Sequence, residues 1–85
     1  MKPIEIYTKD FCPYCERAKA LLGRKNASYT EIPAAFDPPK KAEMIQRSKG
    51  RSTFPQIFID GVHVGGCDDL LALEAAGKLD ALLHD

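Results

Sequence analysis

The chain has 85 residues, which predicts one domain spanning residues 1–85. Its 12 basic and 12 acidic residues cancel, so the net charge does not favour a nucleic-acid or anionic-membrane partner. Hydrophobic residues make up 45% and charged residues 28%, which is typical of a soluble globular domain and too apolar for a disordered one. The apolar runs are far shorter than the roughly 20 residues that span a bilayer, and no cleavable apolar segment follows Met1. We therefore expect a protein that stays in the cytoplasm; its oligomeric state cannot be read from the sequence, and a monomer is the default.

The first half of the chain has the pattern of a β-α-β unit. Residues 4–7 alternate between apolar and polar side chains, which is typical of a half-buried strand. Residues 13–25 carry apolar side chains at steps of three and four, and Pro13 suits the first position of a helix. Residues 28–32 alternate again, and Pro33 is expected to end that strand. Two strands joined by a helix predict a parallel pair with a right-handed crossover.

A second helix and a hairpin are predicted next. Asp37 followed by Pro38 is typical of a helix N-terminus, and this helix is expected to stop at Gly50. Residues 56–64 then contain two apolar runs on either side of Asp60-Gly61. This dipeptide favours a two-residue hairpin turn, so the two strands are predicted to be antiparallel.

Residues 67–76 are predicted to form the last long helix, and Gly77 separates it from one more C-terminal turn. The apolar set assigned to the core face of this helix is Leu70, Leu71, Leu73, Ala75 and Ala76. The predicted order is therefore β-α-β-α-β-β-α. Because it combines a parallel pair with a hairpin, we expect an α/β fold with a four-stranded mixed sheet flanked by helices.

Three cysteines, at positions 12, 15 and 67, are too few for the disulfide framework of a small secreted domain. Two of them form the motif Cys12-Pro13-Tyr14-Cys15, which indicates redox or metal chemistry when no secretion signal is present. The motif follows a predicted strand and opens a predicted helix, so free backbone N–H groups and the helix dipole favour negative charge on the first sulfur. Cysteines so placed have pKa values lowered to about 3.5–7.5, and the thiolate is the nucleophile. We therefore expect the Cys12 sulfur to be ionised and to face solvent.

The spacing of the motif supplies an attacking thiol and a resolving thiol. Cys15 lies one helical turn beyond Cys12, close enough to attack a mixed disulfide formed there. Lys9 and Arg17 lie on either side of the motif and are expected to add positive potential. Two reduced structural cysteines that happen to lie close together are the alternative.

Three blocks of the sequence resemble the glutaredoxin family. They are residues 9–15 (Lys-Asp-Phe-Cys-Pro-Tyr-Cys), residues 53–55 (Thr-Phe-Pro) and residues 65–69 (Gly-Gly-Cys-Asp-Asp). Essentially the whole chain is similar to the small bacterial dithiol glutaredoxins, whereas thioredoxin itself carries a tryptophan that this chain lacks. The resemblance implies a thioredoxin-like fold and a glutathione-dependent thiol–disulfide oxidoreductase that reduces protein disulfides and protein–glutathione mixed disulfides. It also implies glutathione as co-substrate, with no bound cofactor and no metal.

The resemblance further implies where glutathione binds. In the family a cis proline faces the two cysteines, and the backbone of the preceding residue pairs with the cysteinyl part of glutathione. Here these residues are Pro55 and Phe54, although valine is usual at the second position. The glycine pair and the following helix N-terminus would meet the γ-glutamyl carboxylate, and Asp68 its ammonium, while Lys9 and Arg51 are candidates for the glycyl carboxylate. The full implied set is Lys9, Tyr14, Arg51, Thr53, Phe54, Pro55, Gly66, Cys67 and Asp68.

Simpler roles are open to several of these residues. Asp68 can serve as a helix cap alone, Pro55 can be a strand-initiating proline, and Arg51 can be a solvated surface cation. The thiol of Cys67 can fill space or can act as a regulatory or disulfide-forming group. His63 carries no motif, and its alternation with two valines predicts a place on the exposed face of the hairpin.

Other functions are open as well. A zinc module would use Cys12, Cys15, His63 and Cys67, although cysteines that open a helix differ from the tight turns of zinc sites. An intermolecular iron–sulfur cluster would use Cys12 and glutathione, but the cluster-carrying branch of the family generally has Cys-Gly-Phe-Ser. A thioredoxin-fold subunit that only binds partners would show no turnover. The expected protein partners are disulfide-containing or glutathionylated proteins; the family serves ribonucleotide reductase among others, and no residue here selects it.

Overall fold

A computed structural model describes residues 1–84 of the chain. These residues form four strands and four helices. The strands are β1 (Ile4–Thr8), β2 (Thr30–Pro33), β3 (Gln56–Ile59) and β4 (Val62–Gly65). The helices are α1 (Pro13–Arg24), α2 (Pro38–Arg47), α3 (Cys67–Ala75) and α4 (Leu79–Leu83). The predicted order, with its short C-terminal helix, is confirmed.

The four strands form one mixed sheet in the order β2-β1-β3-β4. β1 pairs with β2 in parallel and with β3 antiparallel, and β3 and β4 form the predicted hairpin. Asp60 and Gly61 at its turn have φ values of 54° and 77°, the positive values that a tight hairpin turn requires. The expected thioredoxin-like α/β fold is confirmed.

Both faces of the sheet are covered by helices. One face packs on α1, α3 and α4 through an apolar cluster that includes Ile6, Leu22 and Leu70. The other face packs on α2 through a smaller cluster that includes Tyr7 and Met44. The alternation predicted for β1 is thereby confirmed, because Ile6 and Tyr7 lie in different clusters. Within residues 1–84, no helix has the length and apolarity needed to cross a bilayer.

Two predicted boundaries differ from the structure. β2 begins at Thr30 and keeps Pro33 as its last residue. Because β2 is an edge strand, a proline without an N–H can remain in it without removing a ladder hydrogen bond. The helix α2 ends at Arg47 rather than at Gly50. Lys49 and Gly50 both have positive φ, so the chain has already left the helical conformation before the glycine.

Only part of the apolar set predicted for α3 contacts the core: Leu70 belongs to the larger apolar cluster and Leu73 packs against it. The buried residues of this helix are Cys67 and Leu70, whereas Leu71 is 37% exposed and both Ala75 and Ala76 are exposed. Residues one or two positions apart point in different directions from a helix, so the predicted set surrounds it instead of forming one stripe.

The prediction for His63 is also wrong. The ring is half-buried and packs against Phe58, its partner across the hairpin, with centroids 5.0 Å apart. The alternation correctly separates His63 from its neighbouring valines, but the opposite face of this sheet is covered as well. A polar residue on that face is therefore partly buried.

Candidate active site

Cys12 is the N-cap residue of α1. Its backbone is extended, with φ −112° and ψ 101°, and Pro13 occupies the start of the helix. The backbone N–H of Cys15 donates to the Cys12 sulfur over 3.2 Å. The sulfur thus takes the place of a capping oxygen and satisfies one of the free N–H groups at the positive end of the helix.

The sulfur of Cys12 is less open than the sequence predicts. Cys12 is only 5% exposed, so the expectation of a fully solvent-facing residue is wrong. Cys12 nevertheless belongs to neither apolar cluster, and its neighbours Phe11 and Tyr14 are 102% and 52% exposed. Cys12 is thus a buried residue that caps α1 outside the two apolar clusters.

The other two cysteines are buried thiols. Cys15 is fully buried, and this burial, together with its hydrogen bond to Cys12, raises the pKa of Cys15 to about 12. Burial also raises the pKa of Cys67, and the charge of Asp68 acts in the same direction. At neutral pH both groups are therefore protonated.

A cavity of about 130 Å³ brings most of the predicted glutathione-binding residues together. We call this cavity the groove. Its lining residues are Tyr14, Arg51, Thr53, Phe54, Pro55, Gly66, Cys67, Asp68 and Asp69. Lys9 lies apart and lines a different depression with Phe36 and Asp37.

One wall of the groove is the segment 53–55. The peptide bond between Phe54 and Pro55 is cis, as predicted. The start of α3 approaches this segment closely, because a Cβ atom on Gly66 would lie 3.3 Å from the carbonyl oxygen of Pro55. Glycine at position 66 therefore allows the two walls of the groove to meet.

The other wall of the groove is the start of α3, where Asp69 accepts two hydrogen bonds. The sequence did not lead us to predict this role for Asp69. Its carboxylate accepts hydrogen bonds from the backbone N–H of Gly66, at 2.9 Å, and from Arg51 Nη1, at 3.2 Å. The Gly66 N–H, and after it Arg51, lower the pKa of Asp69. The capping role considered for Asp68 thus belongs to Asp69, which leaves the exposed Asp68 carboxylate free to face the groove. An acidic residue three positions after a glycine N-cap is the sequence pattern that could have revealed this.

The four residues considered for zinc are not assembled into a metal site. Across residues 1–84, no three His, Cys, Asp or Glu side chains are placed to hold a metal ion. His63 instead contacts the side chain of Gln56, over 2.7 Å between Nε2 and Oε1. The His63 ring also packs on Phe58, which belongs to the smaller apolar cluster. None of the three cysteines belongs to that cluster.

Comparisons with known proteins agree with this geometry. The glutaredoxin family model matches residues 4–64. Glutaredoxin 3 of Escherichia coli K12 is 60% identical over 83 residues, which cover 98% of this chain and 99% of the relative. A solution structure of glutaredoxin from Brucella melitensis is 63% identical, covers 98% of this chain and 89% of that one, and has a TM-score of 0.85. A crystal structure of a buckwheat glutaredoxin–glutathione complex is 33% identical. The match covers 96% of this chain and 76% of that one, with a TM-score of 0.86.

The family match covers most of the chain and includes the Cys12–Cys15 motif. The similarity to whole relatives extends over the segments that form both walls of the groove. Together with a sulfur at the N-terminus of a helix and a buried partner thiol one turn away, these findings define the chemistry. The chain belongs to the glutaredoxin family and is a thiol–disulfide oxidoreductase.

Proposed function

We propose that this protein uses glutathione to reduce protein disulfides and protein–glutathione mixed disulfides, with Cys12 as the nucleophile and Cys15 as the resolving thiol. The observation that carries the proposal is the asymmetry of the pair. The Cys12 sulfur accepts an N–H at the helix N-terminus, while burial raises the pKa of Cys15 to about 12. Only the first sulfur is held where a thiolate is stabilised.

With a glutathionylated protein, Cys12 alone performs the exchange. Its thiolate attacks the glutathione sulfur of the mixed disulfide, forms a bond to that sulfur and releases the substrate protein as a thiolate. A second glutathione thiolate then attacks the glutathione sulfur held on Cys12. This step releases oxidised glutathione and restores the Cys12 thiolate.

With a protein disulfide, both cysteines take part. Cys12 attacks one substrate sulfur and releases the other as a thiolate, which leaves a mixed disulfide between enzyme and substrate. The Cys15 thiol gives its proton to the substrate thiolate released in the first step, and its sulfur attacks the Cys12 sulfur and releases the second substrate sulfur as a thiolate. Two glutathione molecules then reduce the disulfide between Cys12 and Cys15.

In the groove, each part of glutathione meets a group of matching chemistry. The backbone of Phe54 would pair with the cysteinyl unit, and the Arg51 guanidinium would face the glycyl carboxylate. The N–H groups that open α3 would meet the γ-glutamyl carboxylate, and the exposed carboxylate of Asp68 its ammonium. The ring of Tyr14 would pack on the tripeptide. Lys9 lines a neighbouring depression and stays the second candidate for the glycyl carboxylate.

We propose the cytoplasm as the place of action, because glutathione keeps thiols reduced there. The enzyme would act as a monomer, with glutathione as co-substrate and no resident cofactor. Ribonucleotide reductase stays one candidate among disulfide-containing or glutathionylated substrates.

The proposal is tested by a coupled assay with glutathione, glutathione reductase and NADPH. We expect Cys15→Ser to keep the reduction of a glutathionylated substrate and to lose the reduction of a protein disulfide. Cys12→Ser should lose both, by roughly a hundredfold, because within residues 1–84 no other cysteine sulfur accepts a backbone N–H at the start of a helix. Turnover retained by Cys12→Ser would show that the roles are wrongly assigned. No turnover by the unsubstituted chain would favour a subunit that only binds partners.

A further inference from the structure

The side chain of Gln56, the first residue of β3, is fully buried and contacts the groove segment. Its Nε2 lies 3.0 Å from the carbonyl oxygen of Thr53 and 3.1 Å from Thr53 Oγ1. Its Oε1 lies 2.7 Å from His63 Nε2. The amide is therefore partnered at both ends, by a groove residue on one side and by the hairpin on the other.

The partners determine the direction of each hydrogen bond. A carbonyl oxygen only accepts, so Gln56 Nε2 must donate to Thr53, and Oε1 must point to His63. Since Oε1 also only accepts, His63 Nε2 must carry a proton and donate it. Burial lowers the pKa of His63, so the ring at pH 7 is neutral with its proton on Nε2. Phe58 packs on this ring and holds it in place.

Apart from these bonds, the segment is held by the packing of Phe54 on the cluster that includes Tyr7 and Met44 and by the contact between Arg51 and Asp69. Residues 51–55 belong to no helix or strand, so no ladder of backbone hydrogen bonds fixes them. The hydrogen bonds from Gln56 hold the carbonyl and the hydroxyl of Thr53, and so they help to orient the peptide unit that leads to Phe54.

We propose that Gln56 and His63 are positioning residues for glutathione. The chain of hydrogen bonds from His63 through Gln56 to Thr53 orients the backbone that receives the cysteinyl unit. Neither side chain lines the groove, so both act through Thr53. This inference rests on the proposed function, because it concerns how the same groove selects its substrate.

The test compares two disulfide substrates in a Cys15→Ser background. One is a peptide whose single cysteine is capped by glutathione, and the other is the same peptide capped by 2-mercaptoethanol, which has no amide groups to pair. We expect Gln56→Leu and His63→Leu to slow the release of thiol from the glutathionyl peptide by roughly two- to tenfold, the range for one lost hydrogen bond. Release from the mercaptoethanol-capped peptide should not change.

His63→Gln supplies the rescue, because a glutamine amide N–H can donate to Gln56 Oε1 as the imidazole does. We expect this variant to recover most of the rate that His63→Leu loses. His84→Leu is the matched control, since His84 is exposed near the C-terminus and should leave both rates unchanged. Because Gln56 is fully buried, the two His63 variants keep the test decisive even if Gln56→Leu does not fold.

Equal slowing with both peptides would overturn the inference, because it would indicate damage at Cys12 and not in the groove. An unchanged rate with the glutathionyl peptide in both leucine variants would overturn it as well. If the Cys15→Ser parent itself showed no preference for the glutathionyl peptide, the proposed function and the inference would both fail. If the parent prefers the glutathionyl peptide and the leucine variants keep that preference, the inference alone fails and the proposed function stands.

Discussion

The three cysteines are almost equally covered, so exposure alone does not identify the nucleophile. Cys12, Cys15 and Cys67 are 5%, 0% and 3% exposed. What separates them is the environment of each sulfur. Cys12 accepts an N–H at the start of α1, whereas burial raises the pKa of both other thiols. We therefore assign the nucleophile to Cys12, whose sulfur accepts an N–H at the start of a helix.

This difference predicts selective alkylation. Iodoacetamide at pH 7 should modify Cys12 in the folded protein roughly tenfold faster than Cys15 or Cys67, because a raised pKa keeps both other thiols protonated. Peptide mapping by mass spectrometry after timed quenching measures the three rates. In guanidinium chloride all three should react at similar rates, which serves as the control. Labelling of Cys67 as fast as Cys12 in the folded protein would contradict the assignment.

At the active site, the sequence could identify those residues whose role depends only on their place at the start of a helix or in a turn. The place of Cys12 at a helix start depends on a strand and a proline beside it, both readable in the sequence. Gln56 and Asp69 act on residues that are three positions away in sequence but outside their own helix or strand. The role of Asp69 could have been predicted from an acidic residue three positions after a glycine N-cap. The role of Gln56 depends on how residues 53–55 fold, and no pattern in their sequence indicates it.

At the scale of elements, sequence predicted strands and turns well and helix faces poorly. The hairpin was readable because Asp60-Gly61 favours one turn geometry regardless of its surroundings. The buried face of α3 depends on where α1 and the sheet lie, and apolar residues surround this helix. The local pattern therefore could not separate buried Leu70 from exposed Leu71.

The N-terminus of α3 yields a prediction with a matched pair of aspartates. Asp69→Ala removes the acceptor for the Gly66 N–H and for Arg51. We expect it to lower stability by about 1 kcal/mol, as other capping losses do, and Tm by roughly 4–8 °C. Asp68→Ala should leave Tm nearly unchanged, because the exposed Asp68 is not the cap.

The same two variants should also differ in their kinetics with a glutathionylated peptide. Asp68→Ala should raise the KM for a glutathionylated peptide several-fold, because its carboxylate is assigned to the γ-glutamyl ammonium. Thermal unfolding followed by circular dichroism, together with steady-state kinetics, measures both effects. A larger loss of Tm in Asp68→Ala than in Asp69→Ala would show that the cap is wrongly placed.

At the scale of the whole molecule, polar contacts join elements on both sides of the sheet. Glu31 on β2 accepts from Thr8 Oγ1 at 2.8 Å and from Lys19 Nζ at 3.1 Å, which joins it to β1 and α1. On the other face, the Arg47 guanidinium of α2 pairs with Glu5 at 2.8 Å and lies 4.1 Å from the centre of the Phe58 ring. These contacts require ionised carboxylates, so the stability of the fold depends on pH.

Acid should therefore weaken the fold. The Thr8 hydroxyl, and after it Lys19, lower the pKa of Glu31, and the Gly66 N–H lowers that of Asp69. A carboxyl whose pKa is lower in the folded state than in the unfolded state stabilises the fold above the unfolded pKa. That contribution is lost as the pH falls through the folded value, so stability should decrease from about pH 5 downward.

We expect Tm to fall between pH 7 and pH 3.5 by roughly 4–8 °C, the shift that about 1 kcal/mol produces in a domain of this size. The expected change is modest because both carboxylates are partly exposed and water screens their partners. The double variant Glu31→Gln, Asp69→Asn should have a lower Tm at pH 7 and a clearly smaller fall on acidification. Calorimetric scans of both proteins across this range measure the difference. An equal fall in both would mean that the acid sensitivity comes from other carboxyls.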